Sequence, residues 1–401
     1  MSTASRPPPP QFVAKLRRGL GGRAGWGGFA LQLLFLAAIV WIGYEIVANA
    51  RTNLQSERIA SGFGFLSHTA GFDVSQTLIP YSGSDTYTRV FLVGLLNTLL
   101  VSVIGIFFAT VIGFLVALGR LSPNWLLSRI SGAYVELVRN LPVLFQMLFW
   151  YLAVLAALPA PRQSISLFNI VFLNNRGLVI PRPVANPGLG PFVLSILIAL
   201  VAALLLRRYA RRRLFASGDS ITIWPYVVGL LIGLPALTAL AFGAPLSFEF
   251  PVLRGFNFAG GSRVIPELVA LTLALSIYTA AFIAEIVRAG IQSVHKGQME
   301  AGASLGLTRG ATLRLIVVPQ AMRVILPPLT SQYLNLTKNS SLAVAIGYPD
   351  LFSVFAGTTL SQTGQAIEII AITMGVYLMI SLVTSAIMNF YGWRVSRSLG
   401  A

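Results

Sequence analysis

The chain of 401 residues contains no cysteine and only two histidines, His68 and His295. The absence of cysteine excludes disulfides, thiolate metal sites and cysteine nucleophiles, and two histidines argue against a histidine-based metal site. No Gly-Lys dipeptide occurs, so the chain lacks the phosphate loop whose backbone donors and lysine hold ATP in the usual ATPases. We therefore expect no catalytic residue, no metal and no cofactor in this chain.

Charged side chains are also scarce. They make up 10% of the residues, against about 25% in soluble domains, while 55% are hydrophobic and the mean hydropathy is +0.77. This composition indicates an integral membrane protein. The net charge of +17 would point to nucleic acid in a soluble protein. Since no basic motif is interleaved with aromatic residues, membrane lipid and membrane topology explain the charge better than nucleic acid does.

A transmembrane helix needs about 20 apolar residues to cross the hydrocarbon layer. Seven segments are apolar enough for a regular span: Phe29–Ala50, Val90–Leu118, Leu141–Leu158, Pro191–Leu206, Ile221–Phe242, Leu268–Ile283 and Ile369–Trp393. An eighth, Leu315–Tyr348, contains Arg323, Lys338 and the pair Pro327-Pro328, so it is predicted to be kinked or broken. The predicted fold class is an all-α polytopic membrane protein with about eight transmembrane helices.

The distribution of Lys and Arg predicts the orientation in the membrane. Placing the N-terminus inside puts most basic residues in cytoplasmic loops, including the run "RRYARRR" at 207–213. Both termini are then cytoplasmic, in a bacterial inner membrane. Residues 1–28 are predicted to be a disordered cytoplasmic arm, because "RPPPPQ" has no core-forming residues. Residues 29–50 would be an uncleaved anchor helix and 51–89 a periplasmic loop.

One polar segment, "MEAGASLGLTRGATLRLIVVPQ" from Met299 to Gln320, interrupts the apolar runs on the predicted cytoplasmic side. We expect two helical turns from Glu300 to Leu307, with Glu300 in the first turn, where a carboxylate suits the helix dipole. Gly306 would end the helix with a positive φ. The product is a short knob with one charge, suited to a groove on a cytoplasmic partner. The alternative is an ordinary solvated loop.

The spacing of this segment resembles the "EAA" loop of permease subunits of bacterial ABC importers. That loop reads Glu-Ala-Ala, three residues, Gly, nine residues, Ile, any residue, Leu-Pro. The chain departs from it at Gly302, in place of the second Ala, and at Val318, in place of Leu. The resemblance implies an ATPase-coupling loop at about 296–319, carried by Glu300, Ala301, Gly302, Gly306, Ile316 and Pro319.

Further stretches resemble the permeases for polar amino acids, most of all the general L-amino-acid permeases. They are "VFLVGLLNTLLVSVIGIFFATVIGFLVALGRLS", "YVELVRNLPVLFQMLFWY", "ALSIYTAAFIAEIVRAGIQSV" and "NLTKNSSLAVAIGYPDL". The resemblance implies a type I importer permease core at 90–158 and 262–401, with an insertion at 159–261 that adds two spans. It also implies alternating access and four kinds of partner: cytoplasmic ATPase subunits, a homologous second permease subunit, a periplasmic amino-acid-binding protein and an amino-acid substrate.

Polar groups inside spans are candidates for a transport path. Lys338 or Arg323 could attract a substrate carboxylate, although subunit packing explains the polar patch around Lys338 equally well. We expect Glu136 and Arg139, three residues apart, to form a structural ion pair or an interfacial anchor. Glu285 and Arg288 have the same spacing, and we expect this pair to stiffen the helix end, with a gating role as the alternative. The candidate path comprises Lys338, Asn339, Arg323, Gln146, Tyr278 and Thr279.

Two other classes of protein fit the same composition. An ion-coupled secondary transporter would need its own ion site, and no aspartate lies within the predicted spans. A membrane scaffold that transports nothing would not depend on the coupling loop. The predicted function is the permease subunit of an ATP-driven amino-acid importer.

Overall fold

The computed structural model describes residues 23–56, 62–218 and 222–397. Its helices are α1 Arg23–Ser56, α2 Tyr87–Leu121, α3 Trp125–Asn140, α4 Val143–Leu148, α5 Leu189–Ser217, α6 Trp224–Phe242, α7 Pro266–Gln292, α8 Lys296–Ser304, α9 Arg309–Thr312, α10 Val318–Asn339, α11 Leu360–Thr363 and α12 Ala366–Arg397. Three π-helical segments continue α4, precede α10 and precede α11: Phe149–Leu155, Leu313–Val317 and Phe352–Thr359. Short 3-10 turns lie at Phe63–Ser67, Pro161–Gln163 and Ser340–Ile346.

Seven helices in the described residues are long and apolar enough to cross a membrane, or eight if the bent pair of α3 and α4 forms one span. The predicted fold class of a polytopic helical membrane protein is confirmed. α1 begins at Arg23, before the predicted start at Phe29, and residues 1–22 of the predicted arm lie outside the described residues.

The sharpest bend lies between α3 and α4, whose axes differ by 105°. Pro142 follows Leu141, and a proline forces the residue before it out of the helical region. Leu141 accordingly has φ −99° and ψ 130°. α3 therefore ends at Asn140, and the predicted span Leu141–Leu158 begins after this corner.

Leu315–Tyr348 was predicted to be kinked or broken, and a break at Pro327-Pro328 is wrong, because α10 continues through both prolines. The two prolines remove only two backbone donors, and a transmembrane helix tolerates this loss when its neighbours hold it in place. Ile325, Leu326 and Leu329 are buried on either side of the pair. The regular helix ends later, at Asn339, and Gly347 with φ 75° follows the 3-10 turn.

α2 and α7 form the centre of the bundle, α10 packs against both of them, and α12 packs against α10 and the segment Phe352–Thr359. Small residues allow the close approach that interfaces between membrane helices require. A methyl group at Gly113 of α2 would lie 2.7 Å from Ile283 Cβ of α7, and one at Gly290 of α7 would lie 2.3 Å from Ile325 Cγ1 of α10. The three helices therefore share one closely packed core.

Residues 159–264 contain α5 and α6, which pack on each other, and eight short strands that sequence analysis missed. The strands are β1 Ile165–Leu167, β2 Val171–Asn174, β3 Gly177–Ile180, β4 Arg182–Ala185, β5 Leu246–Glu249, β6 Val252–Arg254, β7 Asn257–Ala259 and β8 Ser262–Val264. They form one antiparallel sheet in the order β1-β2-β3-β8 and the pairs β4-β5 and β6-β7. The pairing of β3 with β8 joins the segment before α5 to the segment after α6, next to the end of α7 that is farther from α8.

Candidate functional site

The segment predicted to couple to an ATPase forms a separate short helix, α8, at the end of α7. His295 caps its N-terminus, since its Nδ1 accepts a hydrogen bond from the Gly297 amide at 3.1 Å. The helix begins at Lys296, so Glu300 lies in its middle, not in its first turn. The argument from the helix dipole for Glu300 is therefore wrong, because the cap sits earlier than the sequence indicated.

Gly306 ends this helix with φ 74°, the positive value predicted from the sequence. The Leu307 amide donates to the Gly302 carbonyl and the Gly306 amide to the Ala303 carbonyl, both at 3.0 Å. These bonds satisfy carbonyl groups that a helix end otherwise leaves open. The chain then reverses into α9, whose first turn is capped by Thr308 through the Ala311 amide at 3.3 Å.

Gly302 is the buried residue of α8, and it faces α9. A methyl group at this position would lie 2.6 Å from Thr312 Cγ2 and 2.8 Å from Thr312 Oγ1. Glycine in a helix costs about 1 kcal/mol relative to alanine, but here it permits the contact between the two helices. Steric contact with Thr312 therefore explains why glycine occupies position 302, where the EAA pattern has alanine.

The outer face of the loop forms a projection, the coupling knob, defined as residues 300–306. Glu300 and Ala301 are exposed, and so is Leu305, with 78% of its surface accessible. Sequence analysis did not identify Leu305 as part of the candidate docking surface. Its position, an apolar residue just before the terminating Gly306 in a polar loop, could have indicated it. Ile316 and Pro319 are half-buried beneath the knob, in the helical turns that lead into α10.

An ion cluster lies where α2 and α7 end, next to the coupling loop. The Glu285 carboxylate pairs with Arg120 of α2 and with Arg288 of its own helix, which confirms the predicted pair of Glu285 and Arg288. The predicted pair of Glu136 and Arg139 is wrong for the described residues. The Arg139 guanidinium instead lies 5.0 Å from the centre of the Phe282 ring.

Two basic residues were predicted to line a path, Arg323 and Lys338. Each of them lines a cavity between α10 and α12. Lys338 lines a cavity of about 480 Å³ with Ser341 and Tyr377. Arg323 lines a cavity of about 320 Å³ with Thr330 and Asn389. Fifteen residues of helix separate the two, about 22 Å at 1.5 Å per residue. Asn339, the last residue of α10, is half-buried next to Lys338.

The other three predicted path residues lie outside these two cavities. The Gln146 amide donates to the carbonyl groups of Val138 and Leu141, both at 3.0 Å, and so stabilises the corner between α3 and α4. Tyr278 of α7 packs against Phe282 with ring centres 5.0 Å apart, and Thr279 is buried in the bundle. The structure therefore gives Gln146 and Tyr278 partners within the fold, away from Lys338.

Sequence analysis also missed Asp350, which is fully buried just after the predicted eighth span. Its carboxylate accepts hydrogen bonds from the Ser353 amide at 2.8 Å and from the Tyr377 hydroxyl at 3.2 Å. Asn97 of α2 donates to the neighbouring Pro349 carbonyl at 2.8 Å. Because Tyr377 also lines the Lys338 cavity, this buried carboxylate holds one wall of it.

Comparison with known protein families identifies the family of this chain. Residues 109–397 match the family described as binding-protein-dependent transport system inner membrane component, and the chain belongs to it. It is thus a multi-span inner-membrane component of a transport system, not an enzyme.

The chain is 55% identical to the amino-acid ABC transporter permease protein YhdX of Escherichia coli, over 91% of this chain and 93% of that one. It is 50% identical to the general L-amino acid transport system permease protein AapQ of Rhizobium johnstonii, over 91% of both chains. It is 40% identical to the glutamate/glutamine/aspartate/asparagine transport system permease protein BztB of Rhodobacter capsulatus, over 90% of both chains.

Proposed function

We propose that this chain is the permease subunit of an ATP-driven, binding-protein-dependent importer of L-amino acids. Its partners are cytoplasmic ATPase subunits, a homologous second permease and a periplasmic amino-acid-binding protein. The names of its relatives support the amino-acid substrate. The observation that carries the proposal is the coupling knob, which exposes one carboxylate, Glu300, and one apolar side chain, Leu305, on a rigidly capped helix.

The knob is linked to the membrane helices by direct contacts. Gly302 lets α8 pack on Thr312 of α9, and the side-chain Nε2 of Gln320 in α10 donates to the side-chain Oε1 of Gln298 in α8 at 3.2 Å. A displacement of the knob by the ATPase is therefore passed to α10, which carries Arg323 and Lys338. In this proposal the movement of α10 opens the path alternately to the two sides of the membrane.

The substrate path follows the side of α10 that faces α12. A carboxylate and an ammonium form charge-assisted hydrogen bonds, so Lys338 attracts the carboxylate of the amino acid. Asp350 does not touch the substrate, since its oxygens are buried and bonded to Ser353 and Tyr377. In the assembled importer the second permease subunit covers the open face of the path. Both termini and the coupling loop lie in the cytoplasm.

The test is reconstitution of the chain with its partners in liposomes, with uptake of a labelled L-amino acid as the readout. We expect uptake to require ATP, the ATPase and the binding protein together. Glu300→Ala removes a charge-assisted contact worth about 1.5–3 kcal/mol, which weakens docking of the ATPase about ten- to a hundredfold. Glu300→Gln keeps the shape of the knob and separates the effect of charge from the effect of size.

Two results would contradict this proposal. Uptake by the chain alone under an ion gradient would favour a secondary transporter. Normal uptake and normal retention of the ATPase in both Glu300 variants would remove the role of the knob.

A further inference from the structure

The inserted helices α5 and α6 form a hairpin that packs mainly on itself. Ser195, Ala199 and Ala203 are the buried residues of α5, and Ser195 Oγ lies 3.0 Å from Thr238 Oγ1 of α6. Large apolar side chains cover the outer faces of both helices and are exposed, among them Leu197, Leu204 and Ile232. In a membrane these faces meet acyl chains, so the hairpin is surrounded largely by lipid.

A cavity of about 490 Å³ lies between the two helices where they approach their connecting loop. Arg207 and Arg211 of α5 form its basic side, and Trp224 of α6 lies opposite. The Arg207 guanidinium is 5.7 Å from the centre of the Trp224 ring. Leu214 and Val227 complete the wall with apolar surface. The volume falls within the range of about 300–1,000 Å³ that is typical of small-molecule sites.

The charge around this cavity is strongly positive. Residues 207–224 contain five arginines and one acidic residue, Asp219, whose placement lies outside the described residues. α5 and α6 themselves contain no acidic residue. In the described ranges both ion pairs involve Glu285, so neither Arg207 nor Arg211 is neutralised there. An anionic group is therefore the complement of the cavity.

Two features favour a lipid over an acidic protein segment. The cavity lies at the end of two helices with apolar outer faces, and its lining includes Trp224, a residue type that is enriched at membrane interfaces. Its lining also combines two arginines with apolar surface, which matches a phosphate joined to the first carbons of a lipid. Basic pockets between transmembrane helices on the cytoplasmic side bind anionic headgroups in this way.

We propose that the cavity lined by Arg207, Arg211 and Trp224 binds the phosphate group of an anionic phospholipid, such as phosphatidylglycerol. The two arginines contact the phosphate oxygens, and Leu214 and Val227 contact the glycerol and the upper acyl chain. The strand pair β4-β5 links α5 and α6 at one end of the hairpin, and the lipid bridges them at the other end, next to their connecting loop. The site is separate from the coupling knob, so it does not depend on the proposed transport function.

The arginines of α5 provide a matched control. Arg207 and Arg211 are four residues apart and share one face of the helix, while Arg208 and Arg212 have the same spacing on a neighbouring face and do not line the cavity. The double variants Arg207→Gln/Arg211→Gln and Arg208→Gln/Arg212→Gln therefore lose the same charge from the same helix. Only the first pair changes the proposed site. Arg211→Gln alone serves if the first double variant does not fold.

The experiment uses the full chain purified in neutral detergent and incubated with equal amounts of phosphatidylglycerol and phosphatidylcholine. Native mass spectrometry counts the lipid molecules retained on each variant. We expect the first double variant to lose phosphatidylglycerol about tenfold relative to the wild type, since each basic residue contributes appreciably to the attraction of anionic lipid. The second double variant should stay within about twofold of the wild type. Thermal unfolding in phosphatidylcholine alone verifies that both variants are folded.

Inorganic phosphate distinguishes a lipid from a free anion. We expect phosphatidylglycerol to stay bound in a roughly tenfold excess of inorganic phosphate, because free phosphate has no acyl chain to contact the apolar wall of Leu214 and Val227. Displacement of the lipid by phosphate would overturn the proposal in favour of a free-anion site. Equal loss of lipid in both double variants would show a diffuse surface charge instead of a site. Loss of a co-purified acidic protein, with no change in lipid, would show that a protein occupies the cavity.

Discussion

Gly302 and Gly306, two glycines of the coupling loop, are required for opposite reasons. Gly306 has open space around it, since a methyl group there would meet nothing within 4 Å, but its φ of 74° disfavours other residues. Gly302 lies inside a helix with an ordinary φ, but a methyl group there would collide with Thr312. The sequence predicted the first requirement from a pattern of helix termination. It did not predict the second, because Thr312 is ten positions away.

Replacing Gly306 tests the need for a positive φ at the tip of the knob. Gly306→Val should cost about 1–2 kcal/mol, the penalty for a left-handed residue with a branched side chain, and should reduce ATPase retention about tenfold. Gly306→Asn is the control, because asparagine tolerates this conformation. Co-purification of the ATPase with each variant measures the effect. Equal retention for valine and asparagine would show that the backbone conformation of the tip is not required.

Replacing Lys338 tests whether it contacts the substrate carboxylate. Lys338→Met should raise the KM for uptake about ten- to a hundredfold, the range that follows from losing a hydrogen bond to a charged group. Lys338→Arg keeps the charge and should retain most of the uptake. Assembly of the complex and basal ATP hydrolysis should not change in either variant. Failure of assembly in Lys338→Met would identify Lys338 as a packing residue, and an unchanged KM would leave it without a role in the path.

At the level of elements, the contact of α8 with α9 determines whether the knob is rigid. α8 is only a few turns long, and an isolated helix of this length is not stable by itself. Three contacts hold α8 in place: its cap at His295, the terminating hydrogen bonds at Gly306, and the packing of Gly302 on Thr312. A partner that pushes on α8 therefore moves α10 as well.

The double variant Gly302→Ala/Thr312→Ala tests this contact as a thermodynamic cycle. Gly302→Ala alone should destabilise the loop by about 1–3 kcal/mol through overpacking. Thr312→Ala alone should cost less, since it removes one hydrogen bond to the Thr308 carbonyl and two side-chain atoms. In the double variant the two effects should partly cancel, because the added methyl group fills the space that Thr312 leaves. Retention of the ATPase and thermal unfolding measure the coupling, and simple additivity would argue against the contact.

At the level of the whole molecule, the orientation in the membrane decides which side receives the coupling knob. α5 ends at Ser217 on the same side of the bundle as α8, while Ser82 lies in the loop that leads into α2, on the opposite side. Both serines are exposed. The distribution of basic residues predicts that the first side is cytoplasmic.

Single introduced cysteines test this orientation cleanly, because the chain contains no native cysteine. In intact spheroplasts an impermeant thiol reagent should label Ser82→Cys and leave Ser217→Cys unlabelled. Disruption of the membrane should make both reactive, which confirms that both sites are accessible. Labelling of Ser217→Cys in the intact spheroplasts would reverse the orientation and place the knob on the wrong side for a cytoplasmic ATPase.

Sequence by itself determined the helical spans and the end of α8. A continuous apolar run of about 20 residues predicts a helical span, because a single helix satisfies its own backbone donors and acceptors without water. Gly306 is likewise determined locally, by the conformation its own residue type permits. The absence of a Gly-Lys phosphate loop is likewise visible in the sequence alone, since that motif is contiguous.

Only the tertiary structure decided the features that depend on distant residues. α10 continues through Pro327 and Pro328, where neighbouring helices pack against it, whereas local preference alone predicted a kink or a break. Asp350 is buried, and its carboxylate accepts a hydrogen bond from Tyr377, a residue of α12. The strand pair of β3 and β8 joins residues more than eighty positions apart. Such contacts form only when the whole chain has folded, since burial and packing energies depend on which surfaces meet and not on the order of residues along the chain.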